Sequence, residues 1–205
     1  MTKTLRKSNV TTNDVQVLTL KTFLLGFVAT TNSRENPVAT IQFLNAAKSM
    51  QFVSDYSKLV LTEIMQKSGV TSILITSTAR TPADQARIMY ENIERYGVEH
   101  QKLLYSKYGD QVIDEYSKFK SKKNHKQFII SMMAAKIVAL DPSKVSSHVA
   151  DPAKLNVIDI APSSIDPALR KLFVDAVDGD ERISKYFGPP KDPAYHLEIP
   201  QPEKS

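Results

Sequence analysis

Asp159 stands inside an apolar run, Leu155-Asn156-Val157-Ile158-Asp159-Ile160. A run of that composition reads as a buried strand, and a carboxylate within it is costly to desolvate unless a cation or several donors hold it. Whatever fold the chain adopts must bring such partners to this point. Few soft ones exist. The sequence has no cysteine, and its histidines are His100, His125, His148 and His196. Disulfide scaffolds, thiolate metal sites and cysteine nucleophiles are thereby excluded. The 205 residues suffice for one domain that buries about 70% of its unfolded surface, so stability does not require a metal. A metal here is more readily catalytic than structural.

Residues 1–14 are polar and read as a flexible arm, with a single domain over 15–205. The stretch from Val15 to Thr30 is broken by Lys21 and lacks a small-residue cleavage site, so no signal peptide and no membrane span are expected. The apolar spacing predicts a helix over Pro37–Lys48 and another over Ser54–Lys67 closed by Ser68-Gly69. Val70–Ser77 is a β-branched run of strand length. Thr81-Pro82 is an N-cap followed by proline at the first helical position, opening a helix that runs to Tyr96-Gly97. Residues 99–140 form a helical insert, expected as one helix over Glu99–Phe119 and one over Asn124–Leu140. Between them lie Lys118, Lys120, Lys122, Lys123 and Lys126, which read as a solvated connection before they read as a polyanion contact. The last third predicts strands at Lys144–Val149, Leu155–Ile160 and Ala194–Ile199, and a helix over Pro167–Ala176. Helices first and strands clustered late, with little β-α-β alternation, predict an α+β fold.

Three segments carry chemistry. At Ser77-Thr78-Ala79-Arg80 a strand ends in an arginine, whose planar fork suits a carboxylate in a cleft. At Ser146-Ser147-His148, eleven residues before Asp159, a hairpin through Asp151-Pro152-Ala153-Lys154 could set His148 beside the aspartate. At Tyr195-His196-Leu197-Glu198-Ile199 the two-residue period of a strand puts His196 and Glu198 on one face and Leu197 and Ile199 on the other. Two histidines and a carboxylate are a usual donor set for catalytic zinc. Zinc polarises a carbonyl and lowers the pKa of a bound water toward about 7, and a neighbouring carboxylate can then move protons. His100 and His125 read as surface residues.

In this order the segments resemble the zinc D,D- and L,D-peptidases of bacterial peptidoglycan: D-alanyl-D-alanine carboxypeptidases and dipeptidases, and phage L-alanyl-D-glutamate endolysins, which share their zinc site with the hedgehog signalling domain. Ser77 to Thr81 with Gln85 matches the first motif, Ser146 and His148 with Asp159 the second, and His196 the late histidine. The resemblance implies a hedgehog/DD-peptidase-like α+β fold, with a small antiparallel sheet carrying the zinc site and helices flanking it. It implies Zn2+ held by His148, Asp159 and His196, with Arg80, Gln85 and Ser146 binding substrate and Arg80 also polarising the scissile carbonyl. The chain departs from the family in a His-to-Asp spacing four residues longer and in Pro193 at the position of the usual catalytic glutamate. Glu198, favoured on strand geometry, and Asp192 are the candidate replacements.

The expected function is a zinc peptidase hydrolysing an amide of the peptidoglycan stem peptide. It would be soluble, made in the cytoplasm, and acting on the wall after release as a phage lysin or effector. Two other readings stand beside it: a non-catalytic binding protein that keeps the zinc site, and, less favoured, a basic nucleic-acid-binding protein using the lysine run. The net charge of +5 is compatible with each.

Overall fold

The computed structural model describes residues 15–19, 39–44 and 53–203, with backbone alone for 15–19. The arm at residues 1–14 lies outside the described residues, as does most of the stretch from Val15 to Thr30. The architecture is α+β. Six strands form one sheet in the order β1 (Val15–Thr19), β2 (Thr40–Leu44), β3 (Ser72–Ser77), β4 (Leu155–Ile160), β6 (Tyr195–Pro200), β5 (Lys185–Phe187). The sheet is mixed, where the resemblance implies an antiparallel one: β2 and β3 run parallel, and the other neighbours are antiparallel. A parallel pair needs a long crossover, and helix α1 (Asp55–Ser68) supplies it.

The sheet packs its apolar face on two helices, α1 and α7 (Arg170–Asp178). Ile41, Phe43, Ile73, Ile75, Ile158, Ile160, Leu197 and Ile199 meet Leu61, Ile64, Met65 and Phe173 there. Each such side chain contributes about 1.5–3 kcal/mol on full burial. A second core lies in the helices between β3 and β4: α2 (Pro82–Tyr96), α3 (Val98–Lys102), α4 (Lys107–Ser121), α5 (Lys126–Ala139) and the short α6 (Pro142–Val145). Ala86, Met89, Ile93, Val112, Ile113, Ile129, Met133 and Ile137 fill it.

Local chemistry sets most boundaries as expected. Ser54 caps α1 by accepting from the Ser57 amide, and Gly69 closes that helix at φ 74°, a left-handed value that glycine adopts without a Cβ penalty. Thr81 caps α2, with Pro82 beginning it.

Three expectations are corrected. The segment expected as a helix over Pro37–Lys48 is strand β2 where it is described. Ile41 and Phe43 alternate with half-buried Gln42 and Leu44, and pairing with β3 overrides the helix-like spacing. Lys144–Val149 is not a strand: Asp141 caps a short helix that begins at Pro142, and Ser147–Val149 is a 3-10 turn. The single helix over Glu99–Phe119 breaks after Lys102, because Ser106 caps a new helix, α4. Strand β5 was not expected from the sequence. The final strand ends one residue later than expected, at Pro200, and the helix expected over Pro167–Ala176 is a 3-10 turn leading into α7.

Candidate metal centre

Register builds the site. Ser77 is opposite Asp159, Asp159 opposite His196, and His196 opposite Phe187, so one row crosses β3, β4, β6 and β5 on the face away from the α1–α7 core. The adjacent row is Val157, Glu198 and Lys185. Directly opposed residues share a face. His196 and Glu198 are both buried on it, while Leu197 and Ile199 enter the core behind, as the strand period predicts.

His148 joins this row from the 3-10 turn after α6. Its backbone carbonyl accepts from the Arg80 amide at 2.7 Å, which clips the turn to the end of β3. One ligating atom each from His148, Asp159 and His196 lie within 4.8 Å of one another. His148 Nε2 is 3.1 Å from Asp159 Oδ2, and His196 Nδ1 is 2.9 Å from Asp159 Oδ1. The two rings meet edge to face with centroids 5.0 Å apart.

The outer partners of the rings fix what the inner atoms can be. His148 Nδ1 lies 2.9 Å from the Thr78 carbonyl. A carbonyl only accepts, so Nδ1 carries a proton, and Nε2 is the nitrogen turned toward the Asp159 carboxylate. Either a proton on Nε2, donated to Asp159, or a cation bound between the two makes that contact favourable. His196 has carboxylates at both nitrogens, Asp159 at Nδ1 and Glu198 Oε1 at 3.4 Å from Nε2, with Ser147 Oγ 3.5 Å from Nε2.

The electrostatics follow. For His196, burial disfavours the charged ring but hydrogen bonds to Asp159 and Glu198 outweigh it, and its pKa is pushed up to about 9. For Asp159, burial acts to raise the pKa, yet hydrogen bonds from His148 and His196 hold it well below the usual carboxylate range. Glu198 is brought down to about 2, first by its hydrogen bond to His196 against the cost of burial, then by Ser147 and by Lys185, whose Nζ is 3.3 Å from Oε1. A carboxylate and two imidazoles arranged in this way fit a divalent transition metal of zinc's ligand preference.

Arg80 closes the inner side. Its Nη2 donates to Ser77 Oγ at 2.7 Å and lies 3.4 Å from Asp159 Oδ2, and Nη1 donates to Gln85 Oε1 at 3.0 Å. Gln85 is fully buried and passes the connection on, its Nε2 donating to the Tyr105 hydroxyl at 3.2 Å. Burial lowers the guanidinium pKa and Asp159 opposes that shift. Of the remaining expected residues, Asp192 is half-buried on the loop before β6, where Oδ1 accepts from the Ala194 amide at 2.8 Å and its charge acts on Arg80. Ser146 is half-buried and its side chain makes no hydrogen bond among the described residues; Ser147 is the serine that reaches His196. His100 and His125 are exposed, as expected.

Sequence reasoning missed Thr78, Ser147, Tyr105, Lys185 and Phe187. Thr78 acts through its backbone and Tyr105 lies 20 residues from Gln85, so neither carries a local signal. For Lys185 and Phe187 the signal is only the alternation of a three-residue strand.

Away from this centre, a surface groove of about 540 Å³ on the helical layer is lined by Tyr90, Glu91, Asn92, Glu94, Arg95 and Lys126, with both charge signs present. In the lysine run, Lys118, Lys120 and Lys126 pair with Glu115, Glu94 and Glu91. No helix among the described residues is long and apolar enough to cross a membrane. No protein-family model, curated protein or solved structure matches the chain.

Proposed function

We propose that the chain is a zinc-dependent amide hydrolase of the hedgehog/DD-peptidase type, acting on the stem peptide of bacterial peptidoglycan. The observation that carries this reading is the convergence of ligating atoms of His148, Asp159 and His196 within 4.8 Å of one another, with a proton of His148 held on the far nitrogen by the Thr78 carbonyl. That is the arrangement of a metal ligand whose second nitrogen is oriented from behind. Bound zinc would supply Lewis acidity toward a carbonyl oxygen and a lowered pKa for water.

The chain's own residues divide the remaining work. Arg80, braced by Ser77 and Gln85, keeps guanidinium donors beside Asp159, where they can hold a substrate carbonyl or carboxylate. Gln85, without exposed surface, positions Arg80 and does not itself meet substrate. Glu198 faces Nε2 of His196 while Nδ1 faces Asp159. This supports Glu198 as the carboxylate that orients His196, and leaves Asp192 as the acid for proton transfer to the leaving amine. The sequence preference for Glu198 as the base is thus reversed in this reading. Action on the wall after release, as by a phage lysin or effector, belongs to the same proposal and rests on the resemblance.

The test joins a metal assay to mass analysis of digested muropeptides. One zinc per chain, lost in His148→Ala, and cleavage lost in Asp192→Asn with zinc retained, are expected. Glu198→Gln should weaken zinc binding about 10–100-fold, as loss of an orienting partner does. Stoichiometric zinc with no cleavage of any stem peptide would favour a non-catalytic binding protein, and absence of zinc binding would overturn the reading.

A further inference from the structure

Edge strand β5 adds a wall to the site that neither the motifs nor the ligand set contains. Phe187 is opposite His196 in the β5–β6 register, and its ring lies 5.7 Å from the imidazole at an interplanar angle of 31°. Two ammonium groups sit over that phenyl ring: Lys191 Nζ at 4.1 Å and Lys185 Nζ at 4.9 Å from its centroid. They differ in what else they meet. Lys185 is paired with Glu198 at 3.3 Å. Lys191 has no carboxylate within 4.0 Å among the described residues, although its side chain is exposed and long enough to seek one. The ring face attracts the cation through its quadrupole and holds it one side chain away from His196.

We propose that Lys191, seated on Phe187, is the specificity residue for a second anionic group on the substrate, a carboxylate carried close to the amide that reacts. The inference rests on the metal-hydrolase reading and adds the substrate's charge to it. A bound divalent metal, Arg80, Lys185 and Lys191 together outweigh the charges of Asp159, Glu198 and Asp192. With a neutral substrate the Lys191 ammonium keeps water and the phenyl ring as its partners and gains no anion. A carboxylate there gains a charge-assisted hydrogen bond of the kind that lysine's flexible stem readily makes. Because the site is partly solvated, the contact is salt-sensitive.

The experiment measures binding, not turnover. Zinc-loaded protein is titrated calorimetrically with propionohydroxamic acid and with succinic monohydroxamic acid, which share a metal-binding group and differ by a carboxylate. The ratio of the two affinities is the readout. The wild type should prefer the carboxylate-bearing probe about tenfold at low salt, the worth of one charge-assisted hydrogen bond. Lys191→Met should bring the ratio to about one and Lys191→Arg should preserve it; Phe187→Leu should lower it. A wild-type ratio near one, or an unchanged ratio in Lys191→Met, would overturn the assignment. If neither probe binds the zinc-loaded wild type, the metal reading itself falls, and the inference with it.

Discussion

Gln85 joins the sheet to the helical layer, and the cost of cutting that joint follows from its contacts. The Gln85→Met variant keeps the volume of the side chain while removing both of its hydrogen bonds. The one from Arg80 Nη1 at 3.0 Å is charge-assisted, worth about 1.5–3 kcal/mol, and the one to the Tyr105 hydroxyl at 3.2 Å is neutral, worth about 0.5–1.5 kcal/mol. Gln85 has no exposed surface through which water could replace them. The expected loss is about 2–4 kcal/mol, or about 5–15 °C in Tm for a chain of this length. Tyr105→Phe removes only the neutral bond and should cost about 1 kcal/mol. Since both changes cut the same chain of bonds, the double variant should be little worse than Gln85→Met alone. Urea unfolding followed by circular dichroism, with a chelator present to exclude any metal contribution, measures all three. If Tyr105→Phe destabilises as much as Gln85→Met, or if the two effects add fully, Gln85 is not the bridge and Arg80 is held by other means.

Three further outcomes are expected. In Gly109→Ala the new Cβ would lie 2.5 Å from the Tyr105 Cβ, so α4 must shift; a loss of about 1–3 kcal/mol is expected in the same unfolding assay, and an unchanged midpoint would show that the helix yields freely. Phe173→Ala empties a fully buried position where the ring packs 5.7 Å from Tyr195, and should cost about 3–5 kcal/mol by chemical denaturation. Asp180 accepts from Arg182 Nε at 2.8 Å, and that hydrogen bond, against a smaller burial effect, lowers its pKa. A lowered carboxylate pKa gives stability that is present above the unfolded value near 3.9 and lost as pH falls through the folded one. Asp180→Asn should therefore lower Tm by about 2–4 °C at pH 7, the effect of about 1 kcal/mol, and by progressively less as the pH is lowered below the unfolded value. An effect that stays constant as the pH falls would remove the charge from the explanation.

The parts of the fold legible in the sequence are those fixed by short-range chemistry. Ser54 and Thr81 cap helices, Pro82 begins one and Gly69 ends one, and each does so through a hydrogen bond or dihedral that its neighbours determine. The parts that failed are those decided at long range. Thr40–Leu44 has alternation and helix-like spacing at once, and only the parallel partner β3 chooses between them. Lys144–Val149 carries β-branched residues, but the Asp141 cap and Pro142 begin a helical turn that the packing of Val145 into the helical core retains.

The candidate site divides along the same line. His196 and Glu198 were readable because strand period depends on nothing but the strand. Asp159 was readable because a carboxylate among isoleucines needs a reason. The interval from His148 to Asp159, longer than in the family the segments resemble, is the feature of the sequence that most opposes a shared site. The Asp151 carbonyl accepts from the amides of Lys154 and Leu155, both at 3.0 Å, and its side chain accepts from Ala153 at 2.9 Å, so the residues between coil into a turn beside the row. His148 is then placed not by a hairpin with β4, as the sequence suggests, but by the Arg80 amide and the Thr78 carbonyl at the end of β3. Those two backbone groups belong to the segment that also supplies Arg80. The first and second motifs are therefore one structural unit, and the length of chain between His148 and Asp159 has little bearing on the distance between their side chains.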